Sequence, residues 1–279
     1  MIASAREVLA IIRAQTDRIG VAFSAGKDSH VVLDLVCRQF TRVDAFYLWR
    51  VPELEVIRRL CARVEKRYGI GVRMYPHFDL SRVFKHAVLQ PHWGGLDRVP
   101  RVDMADVEAR FRAETGVEWI AYGWRRNDSR SRALIISQTA RMDWKARRVY
   151  PIGHWRRQDV LNYLRANGIT RPPTFGRREQ GGVDFHPATL NYLLQRFPDD
   201  YAKLVEMYPY AEAYRLSADL RGTREARGDQ AAPAQPQANE RGGAQETGAR
   251  TRPLRVAGAD HRKPKNGARA RRSPASRVA

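Results

Sequence analysis

The stretch Phe23-Ser24-Ala25-Gly26-Lys27-Asp28-Ser29 most narrows what this chain can fold into. Ahead of it, Ile19 to Phe23 is an apolar run with the length and composition of a buried strand. Behind it, Val31, Val32, Leu35 and Val36 recur at the spacing of a helix face. The order strand, small-residue loop, helix places the loop at a helix N-terminus. Backbone N–H groups there lack intrahelical partners, and the helix dipole adds partial positive charge, so the spot favours an anion. Lys27 adds a full charge, and Ser24 and Ser29 add hydroxyl donors. Asp28 falls in the first helical turn, where it either caps the helix or approaches a metal ion. The plain alternative is a strand–turn–helix with a capping aspartate and a surface lysine. The spacing is not that of a Walker loop, which needs a longer spacer before its Gly-Lys-Ser/Thr.

The following run supports an open α/β sheet. Residues 4–18 read as an amphipathic helix through Val8, Leu9, Ile11 and Ile12. Val43 to Trp49 reads as a second strand, and Pro52 opens a helix that ends near Tyr68, before Gly69 and Gly71. Val72 to Tyr75 reads as a third strand, a short helix spans about 79–89, and a helix covers 104–115. Val117 to Tyr122 is the fourth strand. Strands alternating with helices at this spacing predict a Rossmann-like parallel sheet with flanking helices. Between them, Gln90 to Arg98 is rich in turn formers and reads either as a lid or as a plain surface loop.

A second informative stretch, Gly123-Trp124-Arg125-Arg126-Asn127-Asp128-Ser129-Arg130-Ser131-Arg132, follows the fourth strand. Open α/β sheets bind ligands at that edge. Its four arginines repel one another unless anions or carboxylates sit among them, and Asp128 is the one acid in the run. Arginine's planar fork suits phosphate and sulfate.

The first stretch resembles the Ser-Gly-Gly-x-Asp-Ser signature of the PP-loop ATP pyrophosphatases, with Ala25 where that family has its first glycine. The second is similar to the Gly-x-Arg-Arg motif of the phosphoadenosine-phosphosulfate (PAPS) reductase branch, which also holds the nucleotide-binding subunit of ATP sulfurylase. Tyr150-Pro151-Ile152-Gly153-His154-Trp155 through Asp159-Val160-Leu161 resembles that branch's third segment, read here as structural and leading into a helix that stops at Gly168. The likeness spans about residues 15–170. It implies that Ser24, Ala25, Gly26, Lys27, Asp28 and Ser29 hold the β/γ-phosphates of ATP or the sulfate end of PAPS or APS. Gly123, Arg125, Arg126, Ser129 and Arg132 would complete the phosphate site. Lys27, Arg125 and Arg126 are then the catalytic candidates, and Asp28 the candidate Mg²⁺ contact.

The chain departs from the reductases beyond that point. They carry a catalytic cysteine in a C-terminal Glu-Cys-Gly-x-His segment, and several bind an iron–sulfur cluster; this sequence has no cysteine after Cys61. Cys37 and Cys61 lack metal-ligand spacing and read as core thiols, so no iron–sulfur cluster is expected. ATP cleavage at the α/β bond with adenylyl transfer is therefore the favoured expectation, because a reductase needs a thiolate. The alternatives are sulfonucleotide reduction with a thiol from a partner subunit, and a nucleotide-sensing or nucleic-acid-binding module without turnover.

Three parts are expected: a nucleotide-binding domain over 1–170, a mobile loop and C-terminal helices over 171–217, and a disordered basic tail over 218–279. Helices are expected at 187–196 and 198–216, and His186 serves either acid–base chemistry or as a helix cap. Net charge is +20, of which residues 221–279 carry +9, with 14 Lys and Arg against 5 Asp and Glu. Such a tail either binds nucleic acid or only keeps the chain soluble. No apolar run reaches the roughly 20 residues of a membrane span, and charges at Arg6, Glu7 and Arg13 interrupt the N-terminal apolar residues. A cytoplasmic protein without membrane contact is expected.

Overall fold

The apolar run before the first loop becomes the centre of a sheet. The computed structural model describes residues 4–91, 98–176 and 182–226. Its elements are α1 (Ala5–Arg13), β1 (Arg18–Ala22), α2 (Lys27–Cys37), β2 (Arg42–Trp49), α3 (Glu55–Tyr68), β3 (Val72–Pro76), α4 (Leu80–Lys85) and α5 (Met104–Thr115). There follow β4 (Ile120–Tyr122), a 3₁₀ turn (Arg126–Asp128), α6 (Arg130–Gln138), β5 (Met142–Asp143), β6 (Arg148–Val149), α7 (Arg157–Ala166), α8 (Pro187–Arg196), α9 (Pro198–Met207) and α10 (Tyr210–Ala226).

Among these residues the strands form one sheet in the order β3-β2-β1-β4-β6-β5, parallel except where β5 pairs antiparallel with β6. The chain leaves β1 toward β2 on one side and returns to β4 on the other, so the strand order reverses at β1/β4. Ala22 pairs with Phe46 on one side and with Tyr122 on the other, which aligns the C-terminal ends of the three strands. Alternate residues face opposite sides: Ala121 joins the core under α1, α2, α3 and α7, while Ile120 and Tyr122 join Phe111 and Ile136 under α5 and α6. Both faces are covered, as a parallel sheet requires.

Helix ends follow local chemistry. Ser4 and Glu7 form a capping box at α1, Asp103 and Asp106 another at α5. Gly69 and Gly116 close α3 and α5 in the left-handed conformation, φ 66° and 70°. The N-terminus of α3 has no cap of its own: Asp200, on α9 and 1% exposed, accepts from Glu55 N at 2.7 Å and Val56 N at 2.8 Å. Tyr208 Oη donates to Arg50 O at 3.0 Å and Lys203 Nζ to Glu53 O at 2.7 Å. The C-terminal helices thus grip the loop between β2 and α3.

Several expectations change. α1 stops at Arg13, short of residue 18, because Arg18 already belongs to β1. α4 ends at Lys85 rather than 89, and the fourth strand begins at Ile120, not Val117. β5 and β6 are additional strands. The helix expected at 198–216 breaks into α9 and α10, because Pro209 lacks an N–H and disfavours helix at Tyr208. α10 then runs to Ala226, past the expected start of the tail at 218. The tail from 227 onward, residues 92–97 of the loop read as a lid, and residues 177–181 of the expected mobile loop lie outside the described residues. No helix among the described residues is long and apolar enough to cross a membrane.

Candidate functional site: an anion cradle between two strand ends

Two loops leave adjacent parallel strands side by side, residues 23–26 after β1 and residues 123–125 after β4. Gly123 makes their contact possible: a Cβ there would lie 3.0 Å from Asp28 C and from Ser29 N. Its role is close approach of the loops rather than contact through a side chain. Gly26 is the N-cap of α2 without any side-chain cap, and the N–H groups of residues 24–29 find no acceptor among the described residues. Unfilled donors at a helix N-terminus are able to receive an anion. A second helix N-terminus, that of α6, starts beside it; Ser129 caps it by accepting from Arg132 N at 3.2 Å.

The charged side chains form a row of alternating sign. Lys27 Nζ lies 2.8 Å from Asp28 Oδ2, and Asp28 Oδ1 lies 3.0 Å from Arg125 Nε. Arg125 Nη2 donates to Asp128 Oδ1 at 2.9 Å, and Arg132 Nη1 to Asp128 Oδ2 at 3.1 Å. Asp28 and Asp128 are thus the acids that hold the arginines together. Arg125 is 5% exposed, yet its Nε and Asp28 Oδ1 have no hydrogen-bond partner: their ion pair is close but misaligned. Arg126 is exposed, its side chain without an ion pair among the described residues, while its N–H donates to Gly153 O at 2.9 Å. Arg132 extends over the Trp124 ring at 5.1 Å, and Trp124 stacks on Tyr150.

Other expected donors are differently placed. Ser29 Oγ donates to Gly26 O at 2.9 Å and accepts from Ser24 Oγ at 3.3 Å, so it braces the loop. Ser24 is exposed. Asp28 is held between Lys27 and Arg125, and the described residues contain no cluster of three metal-ligating side chains. His186 caps α8 by accepting from Ala188 N at 3.2 Å. His30, which sequence reasoning passed over, is 6% exposed and places Nδ1 2.8 Å from Gly26 O, edge-on to Phe23. Its place one turn into α2 was the available signal. Burial, then Arg141 and Arg126, push the pKa of His154, on the turn after β6, below the ordinary histidine value.

Ala25 sits at φ 55° and is fully buried. A left-handed conformation costs a residue with a Cβ about 1 kcal/mol relative to glycine. Ala25→Gly is expected to raise stability by about 1 kcal/mol in urea denaturation, with unchanged secondary structure.

The same edge carries His77 after β3, where Asp79 N donates to Nδ1 at 3.1 Å and Arg50 Nη2 lies 3.1 Å from Nε2. Both ring nitrogens face donors, so an added proton has no acceptor. Burial, then Arg50, lower its pKa to about 4, opposed by Asp79. The unfolded ring titrates near the ordinary value of about 6.5, so between those values the unfolded chain binds more protons. Stability is then full above about pH 6.5 and falls toward pH 4, by about 2 kcal/mol after allowance for solvent screening. Burial shifts His30 in the same direction. Melting temperatures from pH 7 to 4 should fall less steeply in His77→Gln than in the parent.

The fold defines an α/β protein whose candidate anion site lies at the point where strand order reverses. The family model described as "Phosphoadenosine phosphosulfate reductase domain" matches residues 18–178, and the chain belongs to that family, within the PP-loop superfamily. Among solved structures it is similar to a phosphoadenylyl-sulfate (PAPS) reductase from Candida auris in a phosphate complex, at 17% identity and a TM-score of 0.41. That likeness covers 61% of this chain and 82% of the other. No curated protein matches the sequence.

Proposed function

We propose that this chain is an adenine-nucleotide enzyme that cleaves ATP between the α- and β-phosphates and transfers the adenylyl group, releasing pyrophosphate. The observation that carries this reading is the separation of cradle and thiols. Cys37 is the last residue of α2, about 15 Å along the helix from Lys27. Cys61 lies buried within α3. Burial pushes both thiols up to about 12, so neither offers the thiolate that sulfur transfer needs. The cradle, in contrast, needs none.

In this reading the acceptor oxygen attacks the α-phosphorus, the bond to the bridging oxygen breaks, and pyrophosphate leaves with the electron pair while the acceptor's proton passes to solvent. The free N–H groups of residues 24–29 and Lys27 hold the leaving group. In this reading the Arg125 guanidinium faces the charge developing at phosphorus, and Arg126 and Arg132 neutralise the remainder. Donors fixed before the reaction are the main source of rate here. Lys27→Ala is expected to lower pyrophosphate release from ATP by about a hundredfold or more. Undiminished release in that variant would overturn the site assignment.

The family match favours a second reading, in which the cradle holds the sulfate end of PAPS and a partner protein brings the thiol. Titration with ATP and with PAPS, each with pyrophosphate and sulfite followed, separates the two.

A further inference from the structure

A second pocket, of about 270 Å³, lies between α3, the segment around Arg171 and the end of α8. No residue lining it belongs to either cradle loop, so its reading stands apart from the one above. Its floor is apolar and aromatic: Leu60, Pro173, Tyr192 and Phe197, the two rings 6.2 Å apart and inclined by 35°. Its rim is cationic. Arg59 and Arg63 stand one turn apart on α3, and Arg171 joins them across the pocket. Arg59 is offset by Glu55 at 2.7 Å and lies 5.8 Å from the centre of the Phe197 ring. Arg63 and Arg171 have no ion pair among the described residues, and no acid lines the pocket.

Cations without counter-charge, set around aromatic faces, match a ligand that joins a flat ring to an anion. A nucleotide has that form. The chain's +20 charge favours the polymer over the free monomer, because each added phosphate in reach of a basic surface adds affinity. We infer that this pocket seats one unpaired nucleotide of a single-stranded nucleic acid, its base on Tyr192 and Phe197 and its flanking phosphates on Arg63 and Arg171. Such sites combine stacking with backbone charge and show little preference for sequence.

The test is fluorescence anisotropy of the full chain with a labelled single-stranded 12-mer of mixed sequence, over a series of salt concentrations. The double variant Arg63→Gln/Arg171→Gln should bind more weakly and lose about 1.4 from its log–log salt slope, about 0.7 for each phosphate released. Tyr192→Ala should weaken binding about tenfold, with Tyr192→Phe near the parent. Heparin, a polyanion without bases, should be indifferent to position 192. An unchanged affinity and slope in the double arginine variant would overturn the proposal. So would AMP binding at this pocket as tightly as the strand does.

Discussion

Arg125→Ala is expected to abolish nucleotide binding and to cost the fold about 3 kcal/mol. The guanidinium is the shared partner of Asp28 and Asp128, whose side chains are 21% and 17% exposed. Removing it takes the shared cation from two half-buried carboxylates that keep only Lys27 and Arg132, a larger penalty than losing a surface pair. The same deletion removes the guanidinium proposed to meet the nucleotide's phosphate. Affinity for ATP or PAPS should fall at least a hundredfold by isothermal titration. Arg125→Lys separates the two effects. It keeps the charge between the carboxylates, so much of the stability should return, while the fork that meets a phosphate does not. Recovery of full affinity in the lysine variant would remove Arg125 from the phosphate site.

Asp200→Ala should cost about 2–3 kcal/mol of stability, a large figure for a residue remote from the cradle. Two charge-assisted hydrogen bonds to the first N–H groups of α3 disappear, and the helix dipole loses its anion. With the aspartate 1% exposed, water does not readily replace it. Asp200→Asn retains an acceptor oxygen and should lose about half as much. Chemical denaturation of the three proteins measures this directly; a cost below about 0.5 kcal/mol for alanine would mean that α3 is capped in another way.

The contrast between these two residues explains what was legible in the sequence. Arg125 was visible because its loop concentrates arginines after an apolar strand, and both signals are local. The first loop was visible for the same reason, and so was the succession of β1 to β4 along the chain, though not their order in the sheet. Asp200 left no local trace: it caps a helix 144 and 145 residues earlier, and nothing around it names that partner. β5 and β6 are two residues each, too short for alternation to register. The pairing of Asp28 with an arginine nearly a hundred residues later depends on β1 and β4 being neighbours, which strand order alone reveals. That pairing is why Asp28, expected as a metal contact, stands between two cations.

The row from Lys27 through Asp28, Arg125 and Asp128 to Arg132 also bears on time. In many phosphate sites the cations are gathered only when the ligand arrives, and closure then sets the rate of capture. Here two carboxylates already hold them in line, while the loops are locked by the missing Cβ of Gly123. An incoming dianion would then compete with Asp28 for an Arg125 that is already in place. Capture by such a site is governed by diffusion through a positive field, slowed by added salt and little affected by solvent viscosity beyond that of diffusion itself.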